Sequence, residues 1–306
     1  MKKVYTVFIR IIYLTICLLI HISGHSQQPD PAILKMMPDI PANLTTPSQR
    51  AEYLVLHFWD KFDFKDTPSL MKDDLLERCF VDYLEVLSLV PSASVEQSIE
   101  RLLKKAEVEK KNYLFIAELG EKYLLAPSSP MYDEEKFIPL LQCLLKSTVL
   151  NDLEKIRPTF LLESAKLNRV GYPANDFTYT LLDGQTGALH AIRANYTLLY
   201  FSDPECEDCL KLTKRLIASP VITNQIRLKE LKVITVYVED NVEIWKKHAS
   251  DVADTWIYTR DAEQKINAES LYRLNQFPTL YLLDKDKKVV LKNTSFEQLE
   301  NYFNKQ

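Results

Sequence analysis

Glycine divides this chain more sharply than any other residue. Of the five glycines, only Gly120 falls between His25 and Val170, whereas Gly171, Gly184 and Gly187 follow in quick succession. A long stretch without glycine, carrying apolar residues at helical spacing, predicts a bundle of helices. The first helix opens at Thr46-Pro47-Ser48-Gln49, a capping box with proline at its favoured first position, and aligns Ala51, Leu54, Val55, Phe58 and Phe62. A second aligns Leu76, Cys79, Phe80, Tyr83 and Leu87. A third is expected from Ser94, with Gln97 three residues on, and stripes Val95, Ile99, Leu102, Leu103 and Ala106. Tyr113, Ile116, Ala117 and Tyr123 mark a fourth, and Phe137, Leu140, Leu141, Leu144 and Leu145 a fifth. Helical pattern continues from Asp152 to Leu167, with an interruption expected near Pro158.

The periodicity changes after Gly171-Tyr172-Pro173. Phe177, Tyr179 and Leu181 alternate with polar residues up to Asp183-Gly184, the pattern of a β-hairpin. A buried strand from Tyr196 to Ser202 leads into a helix ended by Pro220, and a second buried strand covers Leu231 to Val238. A helical piece at Val242 to His248, a short strand near Trp256 to Tyr258 and a helix at Ala268 to Leu274 come next. Strands Leu280–Leu283 and Lys288–Leu291 flank a turn, and a last helix opens with the capping box Ser295 to Gln298. Strands alternating with helices until a terminal hairpin predict an α/β fold with a mixed sheet and helices packed on it.

Cys206-Glu207-Asp208-Cys209 sits where the apolar run Thr197 to Phe201 gives way to helical pattern. Two cysteines at this spacing on a first helical turn can close a small disulfide and reopen it. The leading sulfur lies where unpaired backbone N–H groups stabilise a thiolate. Asp203, Glu205, Glu207 and Asp208 crowd the motif, and carboxylates disfavour a neighbouring thiolate where the helix start favours it. A less stable thiolate makes a dithiol a better electron donor and a worse oxidant, so Glu205, Glu207 and Asp208 are expected to tune the pair toward reduction or isomerisation.

The order hairpin, strand, Cys-x-x-Cys helix, strand, helix, Phe277-Pro278-Thr279, hairpin and helix resembles a thioredoxin-like domain over roughly residues 170–306. The piece between Asp240 and Asp261 is similar to the helix–strand insertion of the exported branch that handles cytochrome and envelope thiols. The resemblance implies that Cys206 attacks and that Cys209, one turn in, resolves the mixed disulfide. It implies a cis Pro278 facing the cysteines, with the backbone of Phe277 free to pair with a substrate chain. Two positions depart from the pattern. Many relatives carry tryptophan where this chain has Glu205, and a buried carboxylate where it has Tyr200. The segment Arg50-x-x-Tyr53 with His57-Phe58-Trp59-Asp60-x-Phe62-Asp63-Phe64 resembles a helical domain of unknown function that precedes such domains in secreted proteins of Bacteroidota; that likeness brings no chemistry with it.

Lys2, Lys3 and Arg10, then the apolar run Ile11 to Ile22 and small residues before Gln27, predict a cleaved export signal at 1–26 and a periplasmic or otherwise extracytoplasmic protein. A helical domain at 27–169 and a thioredoxin-like domain at 170–306 complete the expected division. Cys79 and Cys143 fit buried thiols or a mutual disulfide. His57, His190 and His248 are scattered, and no second cysteine pair accompanies the first, so no metal and no cofactor is expected. The formal net charge of −4 with interspersed signs excludes a nucleic-acid footprint. The resulting expectation is an exported thiol-disulfide oxidoreductase acting on protein disulfides and recharged by a membrane-borne thiol reductant. The alternative is a non-catalytic protein that binds an envelope partner through its helices.

Overall fold

The structure is a computed structural model and describes residues 31–126, 129–274 and 276–306. The expected export signal lies outside those residues. No helix among the described residues is long and apolar enough to cross a membrane. The chain separates into two compact units after Thr159.

The N-terminal unit is all-α. It contains α1 (Pro31–Met36), α2 (Pro47–His57), α3 (Thr67–Met71), α4 (Leu75–Leu87), α5 (Ser92–Ala106), α6 (Lys110–Gly120) and α7 (Glu134–Lys146). The boundary between units falls inside α8 (Asp152–Lys166). Thr46 caps α2 as a full capping box with Gln49. The α4 stripe and the α5 stripe are buried, as are Phe137, Leu140, Leu141 and Leu144 of α7. Each such side chain removed from water contributes roughly 1.5–3 kcal/mol before conformational entropy is counted. Gly120 lies where α7 comes close: an added Cβ would sit 2.7 Å from Leu140 Cδ1.

Two helical boundaries differ from the sequence pattern. Helix α5 starts at Ser92 behind Pro91, and Ser94 is not its cap. Its hydroxyl donates instead to the Glu52 carboxylate at 2.5 Å. Helix α8 runs unbroken through Pro158. The ring lacks the N–H that would bond the turn before it, a loss of one hydrogen bond that this fifteen-residue helix tolerates. No disulfide joins Cys79 and Cys143.

The C-terminal unit is built on one seven-stranded sheet. Its strands are β1 (Thr178–Thr180), β2 (Thr186–Ala188), β3 (Tyr196–Phe201), β4 (Leu231–Tyr237), β5 (Ile257–Arg260), β6 (Thr279–Asp284) and β7 (Val289–Lys292), in the order β2-β1-β5-β4-β3-β6-β7. Strand β3 pairs parallel with β4 and antiparallel with β6. Alternate residues of β3 feed two cores. Leu199 and Phe201 join Phe177, Leu189, Ile234, Val236, Tyr272 and Tyr281 on one face. Leu198 and Tyr200 join Leu212, Leu216, Ile222, Leu282 and Leu299 on the other. The second face is covered by α9 (Glu207–Ala218), α10 (Pro220–Arg227) and α13 (Phe296–Asn304), with α11 (Val242–Lys247) and α12 (Lys265–Ala268) elsewhere in the unit. Gly184 takes φ +83° in the β1–β2 turn, a conformation that side chains disfavour.

Pro220 does not simply end the cysteine helix. Helix α9 stops at Ala218, and Ser219 then caps α10 by accepting the Ile222 N–H at 3.2 Å, with Pro220 at the first helical position. The helix expected at Ala268 to Leu274 is not formed beyond Ala268. Ser270 turns to φ +52°, and the Leu271 carbonyl accepts the side-chain amides of Asn168 and Asn175 at 2.8 and 2.7 Å. Those long-range side-chain bonds replace a helical continuation.

By compactness the end of α8, from Phe160 on, packs with the C-terminal unit. The buried Lys292 ammonium donates to the carbonyls of Ala165 (3.2 Å) and Leu167 (2.6 Å), and Arg273 lies over the Phe160 ring at 5.0 Å. A cation at a helix C-terminus is also attracted by the negative end of the helix dipole. Replacing Lys292 by Met leaves those carbonyls short of a donor and is expected to lower unfolding free energy by about 1–3 kcal/mol. Urea unfolding followed by tryptophan fluorescence checks this; the exposed neighbour change Lys288→Met is expected to stay within about 0.5 kcal/mol.

Candidate functional site

The pairing of β3 with β6 sets two loops side by side. Phe201 stands opposite Thr279, so the chain leaving β3 toward Cys206 passes the chain entering β6 through Phe277-Pro278. The Phe277-Pro278 peptide is cis. The Phe277 carbonyl lies 3.8 Å from Cys206 Sγ, within reach of the thiol proton. Phe277 and Pro278 are half-buried.

Asp203 starts the turn into the helix. Its carboxylate accepts the Glu205 N–H at 2.9 Å and its carbonyl accepts the Cys206 N–H at 3.1 Å. Cys206 is the N-cap of α9, in extended backbone, and Sγ accepts the Cys209 N–H at 3.3 Å. The sulfur thus takes the place that a Ser or Asp oxygen fills at ordinary helix starts. Cys206 is half-buried and Cys209 is 1% exposed, so one sulfur meets solvent and the other faces the core. Both are free thiols. Burial pushes the Cys209 thiol well above its ordinary value, and its hydrogen bond with Cys206 adds to the rise.

Tyr200 reaches under the motif from β3. Its hydroxyl donates to the Cys209 carbonyl at 2.8 Å and lies 3.1 Å from Thr213 Oγ1. Burial holds the phenol well above its ordinary range, so it remains a neutral donor. Among the described residues no carboxylate is hydrogen-bonded to Cys209. Glu207 and Asp208 occupy the first turn of α9, where negative charge is favoured, and share Lys211 at 2.7 and 3.4 Å. Glu205 is exposed.

Three further residues belong to this edge and were not expected from the motif. Thr213 supports Tyr200. Glu239 and Asp240, exposed at the end of β4, act together with Asp203 and Glu205 to raise the Tyr237 phenol, after burial itself. Their signal in the sequence is indirect. Buried parallel strands end at one edge of a sheet, so acids just past β4 must lie near the turn that leaves β3. His57 and His248 pair with Asp60 and Asp251, each at 2.6 Å, and His190 Nε2 lies 2.8 Å from the Ala174 carbonyl. None of the three is part of this edge.

Residues 194–289 match the thioredoxin-like family, and residues 23–168 match DUF5106, a domain of unknown function. A thioredoxin-like protein from Bacteroides caccae is 37% identical, with 88% of this chain and 98% of that chain covered at a TM-score of 0.82. The chain therefore belongs to the thioredoxin-like proteins, with a DUF5106 domain preceding the thioredoxin-like one. The C-terminal domain of an uncharacterised Bacteroides fragilis protein is 42% identical over 45% of this chain and 98% of its own, at a TM-score of 0.44. The thioredoxin domain of a thiol-disulfide oxidoreductase from Bacteroides vulgatus is 24% identical over 44% of this chain and 96% of its own, at 0.38. No curated protein matches this chain.

Unequal access separates the two sulfurs experimentally. Iodoacetamide is expected to modify Cys206 at least about tenfold faster than Cys209, as read by peptide mass spectrometry. In a Cys206→Ser protein, the slow modification of Cys209 should keep accelerating as pH passes the ordinary thiol value of 9, because a raised thiol yields thiolate only above it. Equal rates for both cysteines would contradict the geometry.

Proposed function

We propose that this protein is an exported thiol-disulfide oxidoreductase that reduces or isomerises disulfides of envelope proteins. The observation that carries the reading is the N-capping position of Cys206, with its sulfur half-exposed and held by the Cys209 N–H. Backbone N–H groups at a helix start carry partial positive charge toward the atom they bond.

The Cys206 thiolate attacks one sulfur of a substrate disulfide. That S–S bond breaks, one substrate sulfur leaves as thiolate, and a mixed disulfide joins the other to Cys206. Cys209 then loses its proton to water or to the departing thiolate and attacks Cys206 Sγ. The second substrate sulfur is released, the substrate has gained two electrons, and the Cys206–Cys209 disulfide has formed. Phe277, whose carbonyl already faces Cys206, and Pro278 border the path of the substrate backbone. A membrane-borne dithiol returns the two electrons.

The reducing direction is supported by the surroundings of Cys209. Its side chain is buried, and burial disfavours its thiolate. A couple whose reduced form gains no such stabilisation lies toward the reducing end. Glu205, Glu207 and Asp208 add negative charge outside.

The test is a trap. A Cys209→Ser protein should accumulate a mixed disulfide through Cys206, visible as a dithiothreitol-sensitive adduct on non-reducing gels. Cys206→Ser should reduce insulin disulfides no faster than buffer containing dithiothreitol alone. A Cys206→Ser protein that keeps full reductase activity would refute the reading.

A further inference from the structure

Between α12 and β6 the chain runs from Glu269 to Pro278 with no helix or strand among the described residues. A segment without a ladder of its own must find partners for its backbone elsewhere. Here they come from the residues that follow α8. Asn168 and Asn175 each donate a side-chain amide to the Leu271 carbonyl, at 2.8 and 2.7 Å, and the Tyr272 hydroxyl donates to the Asn175 carbonyl at 2.6 Å. Asn168 is itself fixed. It is 4% exposed, takes φ +49°, and its side-chain oxygen accepts the Asn175 N–H at 2.7 Å. Asparagine is one of the few residues that enter left-handed backbone readily. Together these bonds clamp Leu271 and Tyr272.

The clamped segment ends at the sulfur. Tyr272 is 3% exposed, and its ring lies 4.9 Å from that of Phe201, the last residue of β3, and 5.4 Å from that of Tyr281 on β6. Leu271, Leu274 and Phe277 pack on the same core. At the far end the Thr279 hydroxyl donates to the Gln276 carbonyl at 2.7 Å. Phe277 and Pro278 are thus held by β6 on one side and by Leu271 and Tyr272 on the other, with the Phe277 carbonyl 3.8 Å from Cys206 Sγ. No hydrogen bond joins Asn168, Asn175 or Tyr272 to either cysteine among the described residues, so their influence passes through the loop.

We infer that Asn168, Asn175 and Tyr272 are positioning residues for polypeptide substrates. By clamping Leu271 and Tyr272 they fix the Phe277-Pro278 border along which a substrate chain lies, and so favour protein disulfides over small ones. The inference rests on the dithiol reading above and assigns the substrate preference of that site. A polypeptide has to match the border at several points, and a loop that is not already in place must be ordered at a cost in affinity. A small disulfide needs only the half-exposed Cys206 sulfur. Loosening the clamp is therefore felt by the first and not by the second, and in binding more than in turnover.

The reduced full-length protein, freed of reductant, is mixed with excess insulin or 2-hydroxyethyl disulfide, and loss of its free thiols is followed as substrate concentration varies. Asn175→Ala removes one amide, and Tyr272→Phe removes one hydroxyl while keeping the packed ring. Losing one such hydrogen bond is expected to raise the half-saturating insulin concentration about fivefold in either variant. The limiting rate, the rate on 2-hydroxyethyl disulfide and the iodoacetamide modification of Cys206 should stay within about twofold. Thr259→Val is the control, because it removes a buried hydroxyl bond of 2.8 Å to the Thr235 carbonyl that does not involve the loop. It should lower the unfolding midpoint in urea without moving half-saturation. Should Asn175→Ala fail to fold, as read by tryptophan fluorescence, Tyr272→Phe carries the test. Unchanged half-saturation in folded variants, or an equal loss on both substrates, overturns the clamp and leaves the dithiol reading standing. An unaltered protein that reduces 2-hydroxyethyl disulfide but not insulin also overturns it, and one that reduces neither overturns the dithiol reading as well.

Discussion

Strand β3 is bonded on one side to a parallel neighbour and on the other to an antiparallel one, and that choice of partners decides what meets at its end. The antiparallel register sets Phe201 opposite Thr279, so the cysteine turn and the Phe277-Pro278 loop arrive together. The parallel register sets Phe201 opposite Val236, so Glu239 and Asp240 leave β4 at the same edge. Because side chains alternate, a one-residue slip of β3 would move Leu199 and Phe201 out of one core and Leu198 and Tyr200 out of the other. It would also take the Tyr200 hydroxyl away from the Cys209 carbonyl. Two filled cores thus hold the sulfur geometry in place.

Legibility in the sequence depends on how local each signal is. The capping boxes at Thr46 and Ser295 and the stripes of α4 and α5 involve residues a few positions apart, and all are present. The cysteine helix was legible for the same reason. Its second half was not: Ser219-Pro220 reads equally as a stop and as a fresh start, and only the burial of Ile222 decides for α10. Ala268 to Leu274 has helical spacing, yet Asn168 and Asn175 are far away in sequence when they take the Leu271 carbonyl. Glu239 and Asp240 were invisible as site residues because their relation to Cys206 exists only through the β3–β4 register.

Tyr200 shows how a departure from a family pattern can be absorbed. A phenol held neutral by burial serves poorly as a proton acceptor, but it is a good donor, and it spends its proton on the Cys209 carbonyl. That bond anchors the first turn of α9 to the sheet, and the same residue's N–H is the one aimed at Cys206 Sγ. The contribution of Tyr200 is therefore to position a turn, and in the proposed reaction the proton of Cys209 leaves to solvent or to the departing thiolate.

The acids around the motif fall into two groups, separable by their ion pairs. Glu207 and Asp208 sit on the first turn of α9, where they favour the helix, and their side chains are 83% and 76% exposed while sharing Lys211. Charges so well solvated and partly neutralised interact weakly with fixed neighbours. Asp203, Glu205, Glu239 and Asp240 have no ion-pair partner among the described residues and, after burial itself, raise the Tyr237 phenol. Burial, more than these solvated charges, therefore holds the Cys209 thiol up.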